Sequence, residues 1–177
     1  MAGLKCEHCG HGIRYHGEPN GIELIMFSEA AWKSVVESTY DPLHEKIHDE
    51  YPVPCPYLYT TDTIYDDFRG AYCKIWKCPQ CGTLHIFDNN DITRVTRVFT
   101  PCEDDVKDEQ YVGSLFVIFD DMAWEQITEL SVPNSEIERY YTPTFYAIIS
   151  NNGLALYVDK NLTECVTHYI ESAPNDE

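Results

Sequence analysis

Hydrophobic and polar positions along the chain follow two periods. Apolar runs at 22–27, 71–77, 83–88, 92–100, 114–119, 144–150 and 154–159 are short and bounded by Gly, Pro, Asn or Asp. They predict strands. Asn151-Asn152-Gly153 between the last two predicts a hairpin, and Asp88-Asn89-Asn90-Asp91 predicts a turn. Other stretches keep the helical period. Ser28 suits an N-cap ahead of Ala31, Trp32, Val35 and Val36, which predicts a helix over 29–38. Asp41-Pro42 suits a second start, and that helix must end before Tyr51-Pro52-Val53-Pro54. Asp120 and Asp121 predict the cap of a helix carrying Trp124, Ile127 and Leu130 on one face. Leu162, Cys165, Val166, Tyr169 and Ile170 keep the same stripe and predict a last helix. The sum is an α+β fold, an antiparallel sheet with helices packed on one face.

Residues 3–20 are rich in Gly, His and Cys and read as a metal-bound loop, and 52–63 as an extended, Pro-rich connection. No internal repeat is evident beyond two Cys pairs. The acidic stretch 101–110 is the best internal boundary. It separates a zinc-knuckle part, 1–100, from a second α+β part, 111–172, with a frayed tail at 173–177. One compact domain overall is the alternative.

Charge changes this picture more than size does. The 177 residues carry 12 Lys plus Arg against 30 Asp plus Glu, a formal net charge of −18. Residues 1–100 hold 9 basic and 14 acidic side chains, and 101–177 hold 3 and 16. Such a balance argues against direct nucleic-acid binding, which needs cations to displace condensed counterions. It argues equally against docking on anionic lipid. It suits a partner protein with a basic surface. Apolar runs are too short for a membrane span, and no signal-like stretch precedes the first cysteine. A cytoplasmic protein is expected, so its 8 cysteines are expected to be reduced and used for metal rather than disulfides.

Cys6-Glu7-His8-Cys9-Gly10 and Cys78-Pro79-Gln80-Cys81-Gly82 are one motif twice. Two intervening residues let both thiolates reach one tetrahedral ion, and the Gly lets the backbone turn with positive φ. The pattern predicts a structural four-cysteine zinc site, a split zinc ribbon, from Cys6, Cys9, Cys78 and Cys81. His8 and His11 are expected to be exposed and Cys73 to lie in the core. Cys55, Cys102 and Cys165 read as structural, Cys165 on an apolar helix face. A thioredoxin-like redox pair would need a helix after Cys81, where Thr83 to Phe87 read as a strand.

The Cys-x-x-Cys-Gly start, the segment Ser28-Glu29-Ala30-Ala31-Trp32, and the second knuckle between Trp76-Lys77 and Thr83-Leu84 resemble small bacterial zinc-ribbon-like proteins. The resemblance covers about the first 100 residues. Some of those proteins look like toxin-immunity proteins, which implies a binding role rather than an activity.

One motif points to catalysis. His44-Glu45-Lys46-Ile47-His48 fits His-Glu-x-x-His, in which His44 and His48 would share a helix face and bind zinc. Glu45 would then act as general base on the bound water. Its context is poor. Pro42 and Pro52 confine the helix, Lys46 is charged, and Asp49 and Glu50 oppose the helix dipole. The acidic pair Asp66-Asp67 and the aromatic pair Tyr140-Tyr141 carry no recognisable catalytic pattern. The first expectation is therefore a non-enzymatic, zinc-stabilised acidic protein that binds and neutralises a basic partner such as a toxin. The alternative is a zinc metallopeptidase.

Overall fold

Leu24, Met26, Ile75, Ile86 and Ile118 lie two apart along strands or in register across them, so their side chains share one side of the sheet. That side is the interior of a closed barrel. The computed structural model describes residues 2–15, 19–37, 72–88, 91–102, 113–129, 142–151 and 153–172. A two-stranded hairpin, β1 (Ala2–Lys5) and β2 (Gly12–Tyr15), comes first. The barrel strands are β3 (Glu23–Ser28), β4 (Tyr72–Lys77), β5 (Leu84–Asp88), β6 (Asp91–Cys102), β7 (Ser114–Asp120), β8 (Phe145–Ser150), β9 (Gly153–Tyr157) and β10 (Cys165–Ser172). Their order around the barrel is β10-β6-β5-β4-β3-β7-β8-β9, with β9 paired to β10 and every pair antiparallel. Eight strands leave an interior that side chains can fill. Phe99, Leu84, Leu154, Leu156 and Tyr169 complete that packing.

This closed barrel replaces the expected α+β sheet. Among the described residues there are two helices, α1 (Glu29–Glu37) and α2 (Asp121–Glu129), each of 9 residues. Neither is long and apolar enough to cross a membrane. The predicted last helix is also a strand, β10. Its residues Val166, Thr167, Tyr169 and Ile170 are β-branched or aromatic, which favours a pleated surface. A bulge between Cys165 and Thr167 breaks the two-residue alternation. That broken phase is what mimics a helical stripe. Residues 3–20, expected as a loop, contain the β1–β2 hairpin. The second predicted helix, the connection 52–63, Cys55, Asp66-Asp67, Tyr140-Tyr141, 103–110 and the tail lie outside the described residues.

The structure also carries a repeat of elements that no recurring sequence motif marks. Among the described elements, one unit, β-α-β-β-β, is used twice to build the barrel. β3-α1-β4-β5-β6 and β7-α2-β8-β9-β10 follow the same order. Registers coincide too. Leu24 faces Ile75, which faces Ile86; in the second unit Phe116 faces Ala147, which faces Leu156. Leu84 pairs with Phe99 as Leu154 pairs with Tyr169. Both units shift register at the same place, between Arg97 and Val95 in one and between Thr167 and Cys165 in the other. The units meet about an approximate two-fold axis. It passes between Met26 and Ile118 at the β3–β7 seam and between Thr100 and Ile170 at the β6–β10 seam. Strands on both sides of the acidic stretch therefore share one barrel.

Outside the barrel, the β3–β7 seam is sealed by both helices. Ile25, Phe27, Val117 and Phe119 point outward and pack on Trp32 and Trp124. The aromatic contacts cross over between units, Phe27 to Trp124 at 5.5 Å and Phe119 to Trp32 at 4.7 Å. Ser28 caps α1 by accepting the Ala31 N–H (3.1 Å), and Asp120 caps α2 by accepting the Ala123 N–H (2.7 Å). Asp121 does something else. It is buried, and its carboxylate accepts the N–H groups of Asn20 and Gly21, tying the end of the N-terminal segment to the second unit.

Candidate metal centre

The two Cys pairs sit on two hairpin turns of the same build. In the first, the Cys6 N–H donates to His11 C=O and the Gly10 N–H donates to Cys6 C=O. In the second, the Cys78 N–H donates to Thr83 C=O and the Gly82 N–H to Cys78 C=O, at the same distances of 2.8 and 2.9 Å. Gly10 and Gly82 both have φ of 74°, a left-handed conformation that the glycines supply without a Cβ clash. One turn joins β1 to β2 and the other joins β4 to β5, so the site clasps the N-terminal hairpin onto one end of the barrel.

The four sulfurs converge. Cys6, Cys9, Cys78 and Cys81 place one ligand atom each within 4.8 Å of all the others. Cys6 to Cys81 and Cys9 to Cys78 are both 3.6 Å apart. A tetrahedral ion with metal–sulfur bonds of about 2.3 Å sets its sulfurs about 3.8 Å apart. All described cysteines are free thiols, so the cluster could hold a metal ion. No other group of three or more such ligands occurs among the described residues.

Electrostatics prepare the cluster unevenly. Burial pushes the Cys6 thiol up to about 12, despite backbone N–H groups that favour its thiolate. Burial raises Cys78 as well. Cys81 goes the other way. Burial opposes its thiolate, but contacts with Thr83 and with the Cys9 and Cys78 thiols bring it down to about 6. Its Sγ lies 3.2 Å from Thr83 Oγ1. The cluster thus favours the thiolate at Cys81, while the buried Cys6 and Cys78 thiols must release protons when a metal enters.

Two residues that support the site were not singled out in the sequence. Thr83 is buried beside Cys81. His85 is buried on the outer side of β5, because Leu84 and Ile86 on either side of it point inward. Its Nε2 accepts the Glu7 N–H at 3.4 Å, which leaves Nδ1 to donate to Trp76 C=O at 3.2 Å. The imidazole therefore joins the first knuckle to the second hairpin as a neutral ring, and burial lowers its pKa. The only sequence signal was a polar residue alternating with core positions, which ordinarily marks a solvated face. Around it, Ile13, Trp76 and Phe87 form an apolar cluster under the N-terminal hairpin, and the Trp76 Nε1–H donates to Glu23 Oε2 (3.1 Å).

His8 and His11 are outside the cluster, and His11 is exposed, as expected, while His8 is exposed too. Cys73 packs against the barrel interior. Cys165 is exposed on β10, not on a helix face, with its Sγ 3.2 Å from His168 Nε2. His44, Glu45 and His48 lie outside the described residues.

At the other end of the barrel no knuckle covers the opening among the described residues. A cavity of about 340 Å³ lies there, lined by Arg97, Gly113, Ser114, Phe116, Ile149, Ser150 and Asn151. Arg97 is committed to Glu171 through two hydrogen bonds of 2.6 and 2.9 Å and stacks 4.9 Å from the Phe99 ring centroid.

Residues 2–110 match the family described as domain of unknown function DUF8617. The chain belongs to this family. The DUF8617 match takes in both knuckles and the whole first barrel unit, and it stops before β7. No curated protein and no solved structure shows a significant match.

Proposed function

We propose that the four thiolates hold one structural zinc ion and that the protein acts without catalysis, as an acidic binding protein. It would capture and neutralise a partner with a basic surface, such as a toxin, in the reducing cytoplasm. The net charge of −18 carries this reading. Charge of one sign speeds encounter with an oppositely charged partner and repels the chain's own copies. The four-cysteine donor set supports the structural role, because four thiolates close the tetrahedral shell and leave no position for substrate. Zinc suits these donors, since soft thiolates in tetrahedral geometry select it over magnesium or calcium.

Two measurements test the proposal. Elemental analysis is expected to find one zinc per chain, lost in Cys78→Ser and kept in His44→Ala. Two zincs, one of them lost in His44→Ala, would favour the metallopeptidase instead. A pull-down from the native host is expected to return a basic protein that elutes between about 50 and 500 mM salt, as screening shortens the reach of exposed charges. Recovery of no basic protein, or of one whose binding ignores salt, overturns the binding role.

A further inference from the structure

We infer that the basic partner docks on the outer face of β10, around Ile170 and Val166. The inference rests on the acidic-binding role proposed above and gives it a surface. The two-fold relation between the units carries it. Ile170 and Thr100 face each other across the axis, so each occupies the other's place in the opposite unit. Val166 and Thr96 are likewise equivalent, each sitting at the register shift of its own unit. The same backbone thus accepts threonine at both positions in the first unit. Folding does not demand Val and Ile in the second.

Yet these apolar side chains stand in water. Ile170 is 55% exposed and Val166 50%. At the opposite pole of the axis, the outward residues Phe27 and Phe119 are covered by α1 and α2. At the β6–β10 pole no described helix lies over the strands. Apolar residues placed where the fold tolerates polar ones, and left uncovered, are the composition of an interface centre.

Charge decides the occupant. Residues 101–177, which supply β10, hold 16 acidic side chains against 3 basic ones, and Glu164 is exposed beside Cys165 at the start of the strand. A second copy would carry the same net charge of −18 and repel the first. A partner presenting an apolar residue within a basic rim satisfies both the centre and the surroundings.

The test uses the full-length, metal-loaded chain and a synthetic amphipathic helical peptide with a Leu stripe and a Lys rim. A peptide with a Ser stripe and the same Lys rim reports charge alone. The variant Val166→Thr/Ile170→Thr carries the residues that the first unit already uses, so its melting curve should match the wild type. Ile170→Lys, at an exposed position, is the second variant. Fluorescence anisotropy is expected to show the Leu–Lys peptide binding the wild type roughly tenfold tighter than the Ser–Lys peptide. The threonine variant should bind both alike, and Ile170→Lys should bind the Leu–Lys peptide more weakly than the wild type. If both variants bind the Leu–Lys peptide as the wild type does, this face is wrong while the acidic-binding role stands. If neither cationic peptide binds, the role and the face fall together. A concentration-dependent dimer that the threonine variant dissolves would make the occupant a second copy and overturn the basic partner.

Discussion

The two units of the barrel share strand order, central register, a bulge and a helix cap, and they differ most tellingly at the hairpin that carries the knuckle. Between β4 and β5 the first unit inserts the Cys78–Cys81 knuckle; between β8 and β9 the second makes a tight turn ending in Gly153. The second unit pairs β7, β8 and β9 with no cysteine knuckle among its described residues. The lesson is that this strand pairing does not require a four-cysteine cluster. The cluster fastens the N-terminal hairpin over the outer row Trp76 and His85. The equivalent outer row of the second unit, Ile148 and Ala155, carries no indole or imidazole.

Removing the metal should separate the units most. In Cys78→Ser the loss of a structural ion is expected to cost several kcal/mol and to lower Tm by on the order of 10 °C. Hydrogen exchange should accelerate in β1, β2 and the β4–β5 hairpin while β8 and β9 stay protected. Equal acceleration in both units would mean that the ion holds the barrel itself.

The turn glycines give the next largest contrast. Gly153 has φ of 144°, and a Cβ there would collide with the Tyr169 carbonyl oxygen on the neighbouring strand. Gly82 has φ of 74°, and a Cβ would meet only Pro101 Cγ at 3.2 Å. Gly153→Ala should cost about 3 kcal/mol or more, since backbone must move, and Gly82→Ala about 1–2 kcal/mol for the left-handed conformation. Denaturant melts of the two variants check the order. Equal costs would show that the tight turn yields as readily as the knuckle.

This asymmetry also explains what was legible in the sequence. Alternation located seven of the eight barrel strands because one side of each faces a filled interior; it missed β10, where the bulge breaks the phase, and the β1–β2 hairpin outside the barrel. The four-cysteine cluster was legible because Cys-x-x-Cys-Gly encodes a complete turn. Closure was not, since it depends on β3 meeting β7 and β6 meeting β10 across long sequence separations, and alternation is blind to which strands pair. The duplication hid for a related reason. Over 21–32 and 113–124 only Gly, Phe, Ala and Trp recur at matching places, while Ser28 becomes Asp120 and Met26 becomes Ile118 with the same job done. Capping needs an oxygen and an interior needs volume, and several residues supply either.

If the units are equivalent, their caps should weigh the same. Ser28→Ala and Asp120→Ala each remove one acceptor from the third helical N–H, and each is expected to cost about 1 kcal/mol. The double variant should cost more than the sum if helix fraying propagates through the shared Trp32, Phe27, Phe119 and Trp124 contacts. Strict additivity would show two helices that seal the seam independently.

The smallest effect concerns pH and sharpens the contrast at a single position. His85 stands where the second unit has Ala155, and both are buried. Burial lowers the folded pKa of His85 below its ordinary value of 6.5. Between those two values the unfolded chain binds the proton that the folded one refuses. Stability is therefore complete above about pH 6.5 and declines as pH falls below it. Thiolate protonation at the metal centre adds a second decline at low pH, so the wild-type curve alone does not isolate the imidazole. His85→Ala does, because it keeps all four thiols and installs the residue of the other unit. The expected outcome is a lower plateau at neutral pH, from the lost links to Glu7 and Trp76, and a shallower fall from about pH 6.5 downward, with zinc content unchanged at about pH 7. An unchanged slope would assign the whole acid sensitivity to the thiolates and leave His85 as a packing residue.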